Sequence, residues 1–177
     1  MDHNPPAALA QDNVRAALAH LLPQLRAFAR FLAGSRTEAD DLVQEAVLRT
    51  LRALEDGRGP AQVGDIGGSL RPWCLAVIRN VFHEQLRTRR REAAHRARHA
   101  PIEAASLADD APGSMRDLGL ALSTLPPILR EALVLVGVEG LSHEEAAAIC
   151  HVPVGTMKAR VSRARRQLAT ALDRECA

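Results

Sequence analysis

The chain has 177 residues, 47% hydrophobic and 25% charged, with 2% aromatics, three Cys, one Trp and no Tyr. That length holds one ordinary domain or two small ones, and a core that must come from Ala, Leu and Val argues against a large β-sandwich. Twenty-two Arg and a single Lys158 stand against 21 acids, and the formal charge of +2 excludes a uniformly basic nucleic-acid coat.

Charge is unevenly spread along the chain. Residues 1–78 carry 8 basic and 9 acidic side chains, 79–99 carry 7 Arg and 2 Glu, 100–145 hold 2 Arg and 8 acids, and 146–177 hold 6 basic residues and 2 acids. Two basic blocks flanking an acidic one can bind two phosphate-rich surfaces while the whole stays near neutral. The opening Met1-Asp2-His3-Asn4-Pro5-Pro6 lacks the basic start and apolar run of a secretion signal. The longest strongly apolar run, Ala132 to Val138, is too short to span a bilayer. Cys74, Cys150 and Cys176 are odd in number and far apart, which indicates neither a disulfide framework nor a zinc knuckle. The expectation is a soluble, cytoplasmic protein.

The first helix is expected from Val14 to about Leu32, on the stripe Leu18, Leu21, Leu22, Leu25, Ala29 and Leu32, with a bend or break at Pro23. In the second, Thr37 and Asp40 resemble a capping box, and Val43, Ala46, Val47, Thr50, Leu51 and Leu54 form the buried stripe. Its opposite side is acidic, with Glu38, Asp41 and Glu45. Residues 55–70 contain five glycines and a proline and read as a long loop, functional or disordered. A third helix follows Pro72 on the stripe Leu75, Ile78, Phe82 and Leu86 and ends in Arg87, Arg89, Arg90 and Arg91. Residues 93–115 read as an interdomain linker. Short helices are expected around 116–123, from Pro127 to about Val138, over Ser142–Cys150 and over Val154–Leu172. The fold class is therefore all-α: two small helical domains, 10–95 and 116–174, joined by a flexible linker over 96–115.

Ser142-His143-Glu144-Glu145 is a capping box opening a helix whose small alanines admit a close neighbour. The turn His151-Val152-Pro153 leads to a helix with the buried stripe Val154, Met157, Val161, Ala164, Leu168 and Leu172. Its far side displays Gly155, Ala159, Ser162, Arg163 and Arg166, flanked by Lys158, Arg160 and Arg165. A solvated basic face is the plain alternative, but short residues between guanidinium groups suit the major groove.

On these residues the sequence resembles the extracytoplasmic-function sigma factors of bacterial RNA polymerase. Leu125-Pro126, Arg130-Glu131-Ala132-Leu133, the run Glu139–Ala147 and the stretch Val154–Arg165 are similar to the family's region 4. Asp40-Asp41-Leu42-Val43-Gln44-Glu45, and Trp73 followed by Ile78-Arg79-Asn80 and the arginine cluster, are similar to region 2. His151 stands where the family commonly has glycine, and a left-handed backbone there costs His more. Ala159 replaces a frequent serine. The Glu-Gly-Leu-Ser-x-Glu-Glu-Ala-Ala pattern resembles the general-stress subgroup, whose members are held by a small anti-sigma factor.

The resemblance implies roles for three sets of residues. Asp40, Asp41, Leu42, Gln44 and Glu45 would dock on the clamp helices of the core polymerase, although acids in a first turn also suit the helix dipole. Arg79, Asn80, His83, Glu84, Arg87 and Arg90 would contact the −10 element of promoter DNA, where a base is extruded from the separated strand. Thr156, Lys158, Ala159, Arg160, Ser162, Arg163 and Arg166 would contact the −35 element. Trp73 reads as core rather than as a stacking platform, and Cys150 as core too. His95 and His99 stand four apart with no third ligand nearby and read as solvated. Neither a metal nor a cofactor is expected, and no P-loop, nucleophile elbow or HExxH motif points to an enzyme. Two rival readings are a stand-alone helix-turn-helix repressor and a sigma-like decoy that only sequesters an anti-sigma factor.

Overall fold

The computed structural model describes residues 5–33, 35–56, 70–96 and 113–175, with side-chain surroundings for 13–33, 35–56, 70–93 and 118–170. The long loop, most of the linker, His99 and Cys176 lie outside the described residues, as do the surroundings of His95 and Leu172. Among the described residues, all regular structure is helical.

The first unit comprises α1 (Pro5–Ala33), α2 (Arg36–Glu55) and α3 (Leu70–Arg96). Helix α1 starts well before Val14 and runs through Pro23, whose missing N–H leaves one carbonyl without its helical donor. The first helix buries Leu18, Leu25, Ala29 and Leu32, with Phe28 fully enclosed among them. Helix α2 is capped by Ser35, not by Thr37: the Ser35 hydroxyl accepts the Glu38 N–H at 3.2 Å. Ala39, Leu42, Val43, Ala46 and Thr50 form its buried face. Leu75, Ile78 and Val81 of α3 close this core, and Trp73 packs partly buried against it. Burial pushes the Cys74 thiol up to about 12, against a smaller opposing effect of its hydrogen bond with Thr50, so this cysteine is an inert core residue.

The second unit comprises α4 (Gly113–Ser123), α5 (Pro127–Leu133), α6 (His143–Cys150) and α7 (Val154–Glu175). Helix α5 has Pro near its start, where a missing N–H is harmless. It continues as one wider π-helical turn, Val134–Val138, in which the Glu139 N–H reaches back to the Val134 carbonyl at 2.9 Å. Gly140 then takes a φ of +69°, a left-handed conformation open to glycine, and ends the segment. The expected capping box is present: the Ser142 hydroxyl accepts the Glu145 N–H at 3.1 Å, and the Ser142 N–H donates to Glu145 Oε2 at 2.8 Å. Ala146, Ala147, Ile149 and Cys150 are buried, as are Met157, Val161 and Ala164 of α7.

The two units form one continuous apolar core. Helix α1 touches α4 and α5, and α3 touches α6. The domains are thus closed on each other, and α3 is part of the seam.

Candidate nucleic-acid interface

The helix-turn-helix is built by local chemistry. At the end of α6, His151 adopts φ 53° and ψ 46°, the left-handed conformation expected at that turn. Its N–H returns to the Ala148 carbonyl at 3.2 Å, and that of Val152 returns to Ala147 at 3.1 Å, which satisfies the last carbonyls of α6. Pro153 then accepts the Met157 N–H through its carbonyl at 3.1 Å and starts α7.

With Met157, Val161 and Ala164 turned inward, the opposite face of α7 is open. Gly155, Thr156, Lys158, Ala159, Ser162, Arg163, Arg165 and Arg166 are exposed and Arg160 is half-buried. A side chain at Gly155 would meet nothing within 4 Å, so packing does not require a glycine there. The short residue leaves the helix surface low beside the arginines. Among the described residues, none forms an ion pair with Lys158, Arg160, Arg163, Arg165 or Arg166. This is a bare cationic face on a rigid, capped support, as groove binding needs.

Helix α3 presents a different picture. Asn80, Arg87 and Arg90 are exposed and, with Arg79, His83 and Glu84, line a shallow groove of about 220 Å³. Several of these groups are already occupied. Glu84 receives Arg49 of α2 at 2.6 Å, and Arg89 pairs with Glu38 of α2 at 2.7 Å. Arg79 Nε donates to Glu131 Oε1 of α5, and His83 Nε2 donates to the other oxygen, Oε2, at 2.7 Å. The thiol of Cys150 on α6 donates to Oε1 at 2.9 Å.

Glu131 itself is 0% exposed. Burial pushes its carboxyl up, but hydrogen bonds from His83 and Cys150, with the charge and hydrogen bond of Arg79, outweigh burial and hold it below the usual carboxylate range. Cys150 is pushed up to about 12 by burial and by the adjacent carboxylate; like Cys74 it is a core thiol. Sequence reasoning placed Glu131 only within a family motif and gave it no role. An acid immediately before the apolar run Ala132–Val138 was the available signal, since such a group needs partners if it is buried.

The acidic helix α2 sends Asp41 and Gln44 to solvent and leaves Asp40 and Glu45 half-buried. Glu45 pairs with Arg49 at 2.7 Å, and Asp40 lies 3.9 Å from Arg26 of α1. Leu42, expected on this surface, is instead fully buried, because the helical period that exposes Asp41 and Gln44 carries position 42 to the inner face with Ala39, Ala46 and Thr50. Leu48 was missed. It is 48% exposed one turn beyond Gln44, a placement the i, i+4 spacing already allowed. With Asp40, Gln44, Val43 and Val47 it lines a groove of about 640 Å³ between α1 and α2. Among the described residues no group of three His, Cys, Asp or Glu is placed to hold a metal, and no helix is long and apolar enough to cross a membrane.

A helix-turn-helix with a bare cationic face beside a three-helix unit with an acidic helix is the architecture of a modular, DNA-binding transcription factor. Residues 17–92 match the Sigma-70 region 2 family and residues 115–168 match Sigma-70 region 4. The chain is 39% identical over 168 residues to the ECF RNA polymerase sigma factor EcfG of Rhodopseudomonas palustris, covering 91% of this chain and 86% of the relative. Its fold is similar to the sigma factor RpoE solved with the anti-sigma factor NepR from Bartonella quintana, with TM-score 0.74 and 35% identity over 90% of this chain and 96% of that one. It is also similar to CnrH solved with the cytosolic domain of CnrY, with TM-score 0.64 and 26% identity over 94% of each chain. The chain belongs to the ECF sigma factors of RNA polymerase, the dissociable subunits that direct promoter-specific transcription initiation.

Proposed function

We propose a division of labour among three surfaces. Asp40, Asp41, Gln44 and Glu45 of α2, with the exposed Leu48, dock on the core polymerase. Arg79, Asn80, His83, Glu84, Arg87 and Arg90 of α3 engage the −10 element. Thr156, Lys158, Ala159, Arg160, Ser162, Arg163 and Arg166 of α7 engage the −35 element. The observation that carries this reading is the unpaired cationic face of α7, mounted on a capped helix-turn-helix with its apolar stripe turned away. Catalysis belongs to the polymerase, and this chain supplies promoter choice from the cytoplasm. Two domains on one chain raise each other's effective concentration on DNA, which selects promoters carrying both elements at the right spacing.

An anti-sigma factor is the further partner, supported by the likeness to the sigma factor RpoE, solved with the anti-sigma factor NepR. The general-stress subgroup is supported by the likeness to EcfG. Reconstitution of the purified chain with core polymerase, followed by sequencing of run-off transcripts from genomic DNA, tests the whole. Initiation at a defined promoter class is the expected result. DNA binding that needs no polymerase would favour a repressor, and absence of initiation with free core would favour a decoy.

A further inference from the structure

The −10 face of α3 is divided. Arg87 and Arg90 are exposed, and among the described residues nothing pairs with them. The side chains of Arg79 and His83 are only 16% and 20% exposed and both end on Glu131. They belong to one domain and their carboxylate to the other. Glu131 satisfies one oxygen with a guanidinium and a thiol and the other with an imidazole. A guanidinium and an imidazole converging on two oxygens of one anion form the type of site that also receives a phosphodiester, whose non-bridging oxygens have the same charge and a similar spread.

We propose that Glu131 is an intramolecular latch that occupies the anion site which Arg79 and His83 offer to −10 DNA, so that the second domain and the DNA backbone compete for these two side chains. The inference rests on the −10 reading of α3 and adds its regulation: the free chain is closed, and engagement of the DNA by this half of the face requires the domains to part.

Three further observations fit a seam built to open. Beside the apolar contacts that join the two cores, its other fastenings are polar. Arg71 Nη2 donates to both the carboxylate and the carbonyl of Glu139 at 2.7 Å, and Arg130 Nη1 donates to the Leu32 carbonyl at 3.0 Å. The seam is also imperfectly satisfied, because Arg71 Nε and Arg130 Nε are buried without a hydrogen-bond partner, a cost relieved when water reaches them. Finally, the 16 residues between Arg96 and Gly113 give a covalent reach of up to about 55 Å, ample for separation.

The test uses the full chain with a pair of spectroscopic labels at exposed Arg52 and Gln167, introduced as non-natural residues, and a labelled single strand from the −10 region of a promoter mapped by run-off sequencing. The free wild-type chain should show one short interdomain distance, which lengthens when the strand or core polymerase is added. Glu131→Gln should shift the free chain toward the long distance and tighten strand binding by about tenfold, the loss of one charge-assisted contact on the competing side. Arg71→Met touches none of the proposed DNA contacts and should act in the same direction by about threefold; it keeps the test intact if Glu131→Gln folds poorly. An interdomain distance unchanged by strand and core, or strand affinity left unchanged or weakened by both substitutions, overturns the latch. Arg87→Ala and Arg90→Ala separate the two readings. If they leave strand affinity and promoter use intact, the −10 assignment fails; if they reduce both while Glu131→Gln and Arg71→Met change nothing, the latch alone fails.

Discussion

Helices α3 and α7 are both arginine-rich and both face DNA in the proposed function, yet they stand in opposite states. On α7, among the described residues, Lys158, Arg160, Arg163, Arg165 and Arg166 form no ion pair, and Met157, Val161 and Ala164 of the apolar stripe are buried. On α3 several groups are already paired with opposite charges: Arg79 and His83 with Glu131, Glu84 with Arg49, Arg89 with Glu38. The difference teaches that a basic face is not by itself a ready binding site. A preassembled face binds without rearrangement, whereas a paired one first has to release its internal counter-charge. The helix-turn-helix is therefore the constitutive half of the molecule and α3 the conditional half.

The sharpest way to break this contrast is a charge reversal at Arg163. It lies exposed on α7 and touches neither the acidic face of α2 nor the domain seam. Arg163→Glu should lower initiation from promoters carrying a −35 element by about a hundredfold, a lost contact of up to about 3 kcal/mol compounded by repulsion. Binding to core polymerase, measured by native gel shift, should be unchanged. Loss of core binding would contradict the separation of surfaces.

Acid provides the next largest effect, and at the domain seam it acts through Glu131. The Glu131 carboxyl is held below its ordinary value of 4.5 by His83, Cys150 and Arg79, which together exceed the upward push of burial. A depressed folded value means that its contribution is fully present above the unfolded value and is lost as pH falls through the folded one. Interdomain distance should therefore lengthen as pH falls below the ordinary value of 4.5 and through the depressed folded one. Glu131→Gln should flatten this part of the profile, and its persistence unchanged in the variant would assign the acid response to other carboxylates.

Salt distinguishes the two helices by smaller steps. Each cation that neutralises a phosphate steepens the logarithmic salt dependence by about 0.9 for duplex and about 0.7 for single strands. Arg166→Ala should reduce the slope for −35 duplex by about the first amount, and Arg90→Ala that for −10 strand by about the second. Unchanged slopes would place these residues off the DNA.

What was legible in the sequence was what short-range chemistry decides. The capping box at Ser142, the stripe Met157–Val161–Ala164 and the open opposite face of α7 all depend on residues a few positions apart, and the structure contains them. The start of α2 was harder, because Ser35 with Glu38 and Thr37 with Asp40 offer the same hydroxyl-to-acid spacing. The structure uses the first. Glu131 was illegible as a paired group for a different reason: its two cationic partners lie 48 and 52 residues away on another domain. No periodicity reports such a contact. The π-helical turn before Gly140 is similar, since its wider spacing leaves the apolar pattern of Val134–Val138 almost unchanged.

The smallest predicted effect concerns the support of the constitutive half. His151 is the only non-glycine with positive φ among the described residues, and its side chain is exposed. A β-carbon in the left-handed region costs about 1–2 kcal/mol. Glycine removes that cost but gives back part of the gain through the larger entropy of its unfolded chain. His151→Gly should therefore stabilise the chain by about 0.5–1 kcal/mol, read as a higher midpoint in urea with an unchanged slope. Because the side chain points to solvent and the turn geometry is already left-handed, the orientation of α7 should not change, and −35 use by holoenzyme should stay as it was. A stabilised variant with altered promoter choice would instead mean that the His151 side chain itself reaches DNA, moving the turn from the support of the recognition helix to its binding face.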